Sequence, residues 1–474
     1  MKKIAAVLLS ICFAITAFVP SYAAVSEEWN EYWNTYEAQS GIVCFPGADE
    51  TQRNISWYSE AEGTPLVEVT NTATGDVEKV EGYCIKTYDG DFANKVTLTG
   101  LQPDTTYSYK CISRDYESQS YTFSTEAEVF SAMYVTDIHI SHDDGNPDSI
   151  RDQSYNFTQV LKKAESKSNI SLILSAGDQA SEGREDEYKG LTASRESREL
   201  SFATAVGNHD RKGVAYKYFK NVPNEQKVNI NSSYISGDYW FVKGDVLFMV
   251  MDSNSGSGLD HHIFMKNAVK ANKDIRWRVV MMHHDLYSGR IPHRESETKL
   301  MRIIWAPLFD EFGIDLVLTG HSHYYSVSDV MYNNRIVSET SKDCVINNAE
   351  GTVCMVSGSI NRPRNDDEST LGLNDTAGYI YDEQGDKILY NIIDFGKETI
   401  KVSSYSTDSD DPFNTLTLCK TDKNGGHPSK IAPPQNIFIY TIGTIYQFFN
   451  NISVYSRLKD DGIDIGFFQA LFSR

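Results

Sequence analysis

Five times along the chain an apolar run stops at residues able to hold a metal ion. The runs are 130–136, 170–175, 202–206, 278–282 and 314–319. They lead into Asp137-Ile138-His139, Gly177-Asp178, Gly207-Asn208-His209-Asp210, His283-His284 and Gly320-His321-Ser322-His323. A continuous apolar run reads as a strand covered on both faces, and helical stretches lie between these strands. Residues 149–166 place Ile150, Phe157, Val160, Leu161 and Ala164 on one face, with Asp148 as N-cap. Residues 298–312 form a second helix, which Pro307 must kink or interrupt. The pattern is that of an α/β layered domain. In such sheets the carboxyl ends of the strands converge on the ligand site, so residues far apart in sequence meet in one crevice. Imidazole mixed with carboxylate suits first-row metals better than magnesium or calcium. One Asp-x-His or Gly-Asp alone carries almost no information. Five such motifs in order, each after a strand, do not arise by coincidence.

The rest of the chain frames this unit. With 474 residues it is long enough for two to four domains. Hydrophobic residues make up 40% and charged residues 23%, which excludes a disordered, collagen-like or polytopic membrane protein. Residues 1–23 read as a signal peptide: Lys2 and Lys3, an apolar run over 4–19, then Ser21-Tyr22-Ala23 as a cleavage site. The run is shorter than the ~20 residues needed to span a bilayer, so cleavage and secretion are expected rather than a transmembrane anchor. Residues 24–40 carry Trp29, Tyr32, Trp33 and Tyr36 at helical spacing. Over 41–126 short β runs alternate with turns, as in an all-β sandwich, and 101–107 resemble the tyrosine-corner approach of fibronectin type III domains. The α/β unit is placed at 127–420 and a C-terminal extension at 421–474, whose apolar stretch 437–449 reads as core packing or as an interfacial helix. Cys12 leaves with the signal. The six remaining cysteines permit disulfides, Cys344 with Cys354 among them, and none lies in a CxxC pair.

Lys+Arg number 44 against Asp+Glu 65, a formal net charge of -21. Such a surface repels nucleic-acid phosphates, so nucleic-acid coating is not expected. A small phosphate ester is still admissible, because bound cations reverse the local potential.

The five motifs resemble those of the calcineurin-like metallophosphoesterase superfamily. With the sandwich in front, residues 41–420 resemble its purple acid phosphatase-like branch. Val280-Met281-Met282-His283 matches that branch's Val-x-x-His, Tyr287 falls where members often carry tyrosine, and Asp411-Pro412-Phe413 looks like its closing segment. The resemblance implies an αββα four-layer fold and two divalent or trivalent cations, with iron, zinc and manganese all open. Asp137, His139, Asp178 and His323 would hold the first cation; Asp178 would bridge to a second held by Asn208, His283 and His321. His209 would be the non-ligand catalytic histidine and general acid, with Asp210 orienting its ring. The implied reaction is hydrolysis of a phosphate monoester by a metal-bridging hydroxide; a phosphodiesterase or nucleotidase would use the same site. A non-catalytic adhesion protein is the reading outside enzymes, but such a protein is expected to lose ligands, and no ligand position is missing here.

The chain also departs from the branch. His139 replaces the glycine of Asp-x-Gly, and Ser181 stands where the purple enzymes carry their iron-binding tyrosine. A site without the tyrosinate–iron chromophore is therefore expected. The Tyr-Glu-Arg after the last histidine is absent, and Asp285 sits where proline is common. His284 and Arg290 are candidates for substrate contact, as are the neighbouring His293 and Arg294 and the pair Arg362 and Arg364, because guanidinium suits phosphate. Taken singly, His142, His261, His262, His293 and His427 read as surface or loop residues.

Overall fold

A computed structural model of the chain describes residues 24–114, 116–126, 128–226, 235–287, 295–363 and 377–421, with scattered positions from 440 to 460. Two short helices open it, Glu27–Trp33 capped by Ser26 and Tyr36–Gln39 capped by Thr35. A β-sandwich follows. One sheet contains Val43–Pro46, Arg53–Ser59, Tyr83–Lys86 and Phe92–Leu98; the other is built around Leu66–Asn71 and Thr106–Ser113. Trp57, Val67, Tyr109, Cys111 and Phe123 fill the space between them. The Gln102 N–H donates to the Tyr107 hydroxyl at 2.8 Å, so the expected tyrosine corner is formed.

Beyond the sandwich two large sheets stack face to face. In the first, the parallel strands Phe130–Val135, Ile170–Ser175 and Ser201–Thr204 lie beside the antiparallel Leu389–Phe395, Thr399–Ser406 and Asn414–Cys419. The second runs Tyr239–Lys243, Val246–Met251, Trp277–Met282, Leu316–Thr319, Val353–Val356, Ser326–Ser328 and Ala377–Ile380. Strand alternation divides the side chains cleanly. Ala132, Tyr134, Leu172 and Leu174 face Phe248, Val250, Val279 and Met281 of the partner sheet. Met133, Val135 and Ile173 face outward to Phe157, Val160 and Leu161 of the Ser149–Lys167 helix. On the far side, Val280 and Met282 meet the helices Gly258–Ala271 and Glu295–Phe312. This is the αββα arrangement. Three of the five motif strands belong to the first sheet and two to the second, so the site forms where both sheets present their carboxyl ends.

The structure bears on three points left by the sequence. Cys344 and Cys354 are both free: Cys344 pairs with Leu416 in the first sheet, whereas Cys354 is buried in the second. Pro307 does not interrupt its helix, which runs from Glu295 to Phe312. The sandwich is also not a separate bead. Its Val43–Pro46 strand pairs in parallel with Ser201–Thr204, through Cys44 and Ser201, and makes one eleven-stranded sheet across the boundary. In the C-terminal extension Tyr440 packs into the second-sheet core, while Ile445 and Phe449 are exposed. Among the described residues no helix is long and apolar enough to cross a membrane. The stretch 1–23 lies outside the described residues.

Candidate metal centre

The first loop leaves its strand at Thr136. Asp137 and His139 both take positive φ, 51° and 53°, and Asp178 repeats this at 53° on the neighbouring strand. Such backbone is unfavourable for residues with a Cβ. Here hydrogen bonds between the two loops hold it: Asp137 N–H to Gly177 O (2.9 Å), His139 N–H to Asp178 O (3.0 Å) and Ile140 N–H to Gln179 O (2.9 Å). The loop after Leu316–Thr319 behaves in the same way, with His321 at 71° and His323 at 61°. The glycines of two motifs are explained by close approach. A Cβ on Gly207 would lie 2.0 Å from Asp178 Oδ1, and one on Gly320 would lie 1.8 Å from Thr136 Oγ1.

These turns bring the predicted side chains together in overlapping clusters, of which two hold most of the predicted ligands. In the first, His323 Nε2 is 3.1 Å from Asp137 Oδ1 and 3.3 Å from His139 Nε2. In the second, His283 Nε2 is 3.2 Å from Asp178 Oδ2, 3.1 Å from Asn208 Oδ1 and 3.2 Å from His321 Nδ1. Asp178 Oδ2 also lies 3.8 Å from His139 Nε2, so one carboxylate oxygen serves both groups. Backbone carbonyls set two tautomers. His283 donates Nδ1–H to Ala176 O (3.0 Å) and His323 donates Nδ1–H to Arg362 O (2.9 Å), which turns both Nε2 atoms toward the cluster.

The electrostatics follow from this crowding. Burial holds the His139 pKa well below the usual imidazole range. Burial would also lower His283, but the Asp178 carboxylate outweighs it and raises His283 to about 10. For Asp137, burial is outweighed by His323, and its carboxyl falls well below the carboxylate range. Asp137 Oδ1 is buried without a hydrogen-bond partner. Buried carboxylate oxygens facing imidazole nitrogens are a set that cations complete, and the donors fit such ions.

His209 stands at the rim with its side chain 23% exposed. Its Nδ1–H donates to Ser181 O (2.8 Å), and its Nε2 is 4.0 Å from Asp178 Oδ2. Asp210 does not orient this ring. Its carboxylate turns away and accepts from the N–H groups of Asp178 (2.9 Å), Ala180 (3.1 Å) and Gly207 (2.8 Å) and from the Tyr188 hydroxyl (2.7 Å). Burial, then the Asp178 charge, push its pKa up to about 7. Asp210 is the clamp that ties the second and third motif loops together.

His284 is buried behind the second group, with Nδ1 2.9 Å from Ser253 Oγ and its ring 4.5 Å from that of His321. Arg290 lies outside the described residues, as do His293, Arg294, Arg364 and His427. Arg362 contributes its carbonyl to His323. His142 lies 3.1 Å from both Asp144 and Asp186, and His262 lies 3.0 Å from Glu311, away from the cluster. His261 is not a surface residue: it is buried and bound to Asp238 at 2.6 Å. Two contributors had no sequence signal. Gln384 donates to His323 O (2.6 Å) and accepts from Tyr325 N–H (2.7 Å), and Glu297 Oε2 sits 3.2 Å from His321 Nε2.

The αββα fold and this donor set define the class, a metallophosphoesterase domain. Residues 131–325 match the family model of the calcineurin-like phosphoesterases, and residues 38–125 match that of the purple acid phosphatase N-terminal domain. The chain therefore carries a calcineurin-like phosphoesterase domain behind a purple acid phosphatase N-terminal domain. An uncharacterised protein of Mycobacterium tuberculosis is 30% identical over 105 residues, 20% of each chain. A purple acid phosphatase of Glycine max is 29% identical over 126 residues, 24% of this chain and 27% of that one. The matched segment thus spans about a quarter or less of these relatives. The structure of a purple acid phosphatase from yellow lupin (Lupinus luteus) seeds superposes with a TM-score of 0.65 at 15% identity, over 80% of this chain and 74% of that one.

Proposed function

We propose that the chain is an exported, metal-dependent phosphoesterase that hydrolyses small phosphate monoesters with two cations of iron, zinc or manganese. The observation that carries this reading is the sharing of Asp178 Oδ2 between two groups of donors. Asp137, His139, Asp178 and His323 would hold one cation; Asp178, Asn208, His283 and His321 would hold the other. When bound, such a pair acidifies water and neutralises phosphoryl charge.

The chain's own residues do the rest. Asp178 Oδ1 accepts the His209 N–H (2.8 Å), which fixes the rim histidine against the bridging carboxylate. With Nδ1–H committed to Ser181 O, His209 Nε2 is the atom that carries a proton to the departing alkoxide, typically a 10²–10⁴-fold effect. The loop carbonyls and the Asp210 clamp keep the imidazoles from rotating, so the donor set is preorganised. Asp178→Asn tests the reading, with a chromogenic phosphate monoester and a diester as substrates. We expect loss of metal-dependent turnover of the monoester in a folded protein. Full activity in this variant would end the two-cation mechanism, and a faster wild-type rate on the diester would reassign the substrate class.

A further inference from the structure

His321 is gripped on both ring nitrogens. Its Nδ1 lies 3.2 Å from His283 Nε2, on the side of the donor cluster. Its Nε2 points the opposite way, 3.2 Å from Glu297 Oε2 on the Glu295–Phe312 helix. A neutral imidazole carries one N–H, and a carboxylate can only accept. A proton on Nε2 satisfies Glu297 and leaves a bare Nδ1 facing His283 Nε2 and the Asp178 carboxylate. A proton on Nδ1 would point into the cluster and leave Glu297 against a second acceptor. The same carboxylate lies 3.9 Å from His284 Nε2 through Oε1, and His284 is in turn held at Nδ1 by Ser253 Oγ. The three rings pack together, with centroids 4.5 Å apart for His284–His321 and 5.0 Å for His283–His321.

We infer that Glu297 is a positioning residue for the second cation: it fixes His321 as the Nδ1 ligand by accepting its Nε2–H. This rests on the two-cation reading above. Outer carboxylates of this kind orient a metal-bound imidazole and raise its basicity, and their loss typically costs 10–100-fold in metal affinity. Only one of the two cations should feel the change, because Glu297 touches no donor of the Asp137–His139–His323 group. Its side chain is 39% exposed, so substitution leaves no buried cavity.

Calorimetric titration of the metal-stripped full chain with Zn²⁺ tests this without an assay of turnover. The wild type should show two binding steps. Glu297→Ala should weaken one of them about 10–100-fold and leave the other within twofold. Glu297→Gln should recover part of the loss, since its carbonyl oxygen still accepts Nε2–H. A second Glu297→Ala substitution made on top of His321→Ala should cost nothing further, because Glu297 acts only through that ring. Unchanged affinities in Glu297→Ala, or costs that add fully in the double variant, would overturn the inference. A third bound Zn²⁺ lost in both Glu297→Ala and His284→Ala would also overturn it, by making Glu297 a ligand itself. A wild type that binds a single cation would sink the two-cation reading, and Glu297 would then be judged on that one step; a wild type that binds none would overturn both.

Discussion

At the scale of single residues, the donor positions carry backbone cost. Asp137, His139, Asp178, His321 and His323 hold φ between 51° and 71°, a conformation that costs residues with a Cβ on the order of 1–3 kcal/mol each. The loops tolerate this because their neighbours over-determine them, and for the Asp178 loop the main neighbour is Asp210. Asp210→Asn replaces an acceptor of four hydrogen bonds by a group that must aim its own N–H at other donors. Leaving such groups unsatisfied costs ~1–3 kcal/mol each. We expect a lower melting temperature together with weaker binding of both cations. A variant with normal metal content and a pure loss of kcat would return Asp210 to the service of His209. That the donor side chains would meet in one cluster was legible in the sequence, because residue type and position after an apolar run suffice to mark them. The role of Asp210 was not. Adjacency to His209 along the chain says nothing about direction, and the turn sends the two side chains opposite ways.

At the scale of elements, the second sheet and its helices show where pattern reading stops. Pro307 lacks an N–H, and its ring costs a helix ~3 kcal/mol. Ile304, Trp305, Leu308, Phe309 and Phe312 bury one face of the same helix against the second sheet, at ~1.5–3 kcal/mol per fully buried large side chain. Packing wins, and no local rule could have weighed it. His261, on the Gly258–Ala271 helix, is a second case. Its ring lies 4.3 Å from Trp305, its Nδ1 is on Asp238 (2.6 Å), and its Nε2 is on Ser255 O (3.0 Å). Burial alone would lower its pKa, but Asp238 outweighs burial and raises it to about 9, against ~6.5 in an unfolded chain. A group raised in this way contributes stability that is complete below pH ~6.5 and is lost as pH rises through about 9. The upper limit is ~3 kcal/mol. Melting temperatures measured from pH 6 to 10 should therefore fall in the wild type and stay flatter in His261→Gln. Parallel slopes in the two proteins would remove the Asp238–His261 pair from the account.

At the scale of the whole molecule, the sandwich and the catalytic unit share more than a linker. The composition shift near residue 126 marks a change from β to α/β patterning, but it carries no information on which edges pair. Cys44 and Ser201 join the two sheets into one. Asn221 donates to Ile55 O (3.1 Å) and Val96 O (3.2 Å), Lys95 reaches the carbonyl of Lys217 (3.2 Å) and that of Lys220, and the Tyr109 hydroxyl donates to Arg198 O (2.7 Å). Arg198 itself is fully buried. It meets Glu37 of the Tyr36–Gln39 helix at 3.3 Å and the Tyr121 hydroxyl of the sandwich at 2.7 Å. The N-terminal helix, the sandwich and the catalytic unit thus converge on one guanidinium. Removing one partner of a buried ion pair costs ~3–5 kcal/mol, because the other charge is left unpaired. If the parts unfold together, Arg198→Met should move a single calorimetric transition down by several degrees and keep it single. If they were independent beads, the same variant would split off an early sandwich transition and leave the catalytic unit melting where it did. The shared sheet argues for the first outcome: unfolding the sandwich strips Ser201–Thr204 of its neighbour on one side, and the residues that follow that strand carry Asn208 and His209 into the candidate metal centre.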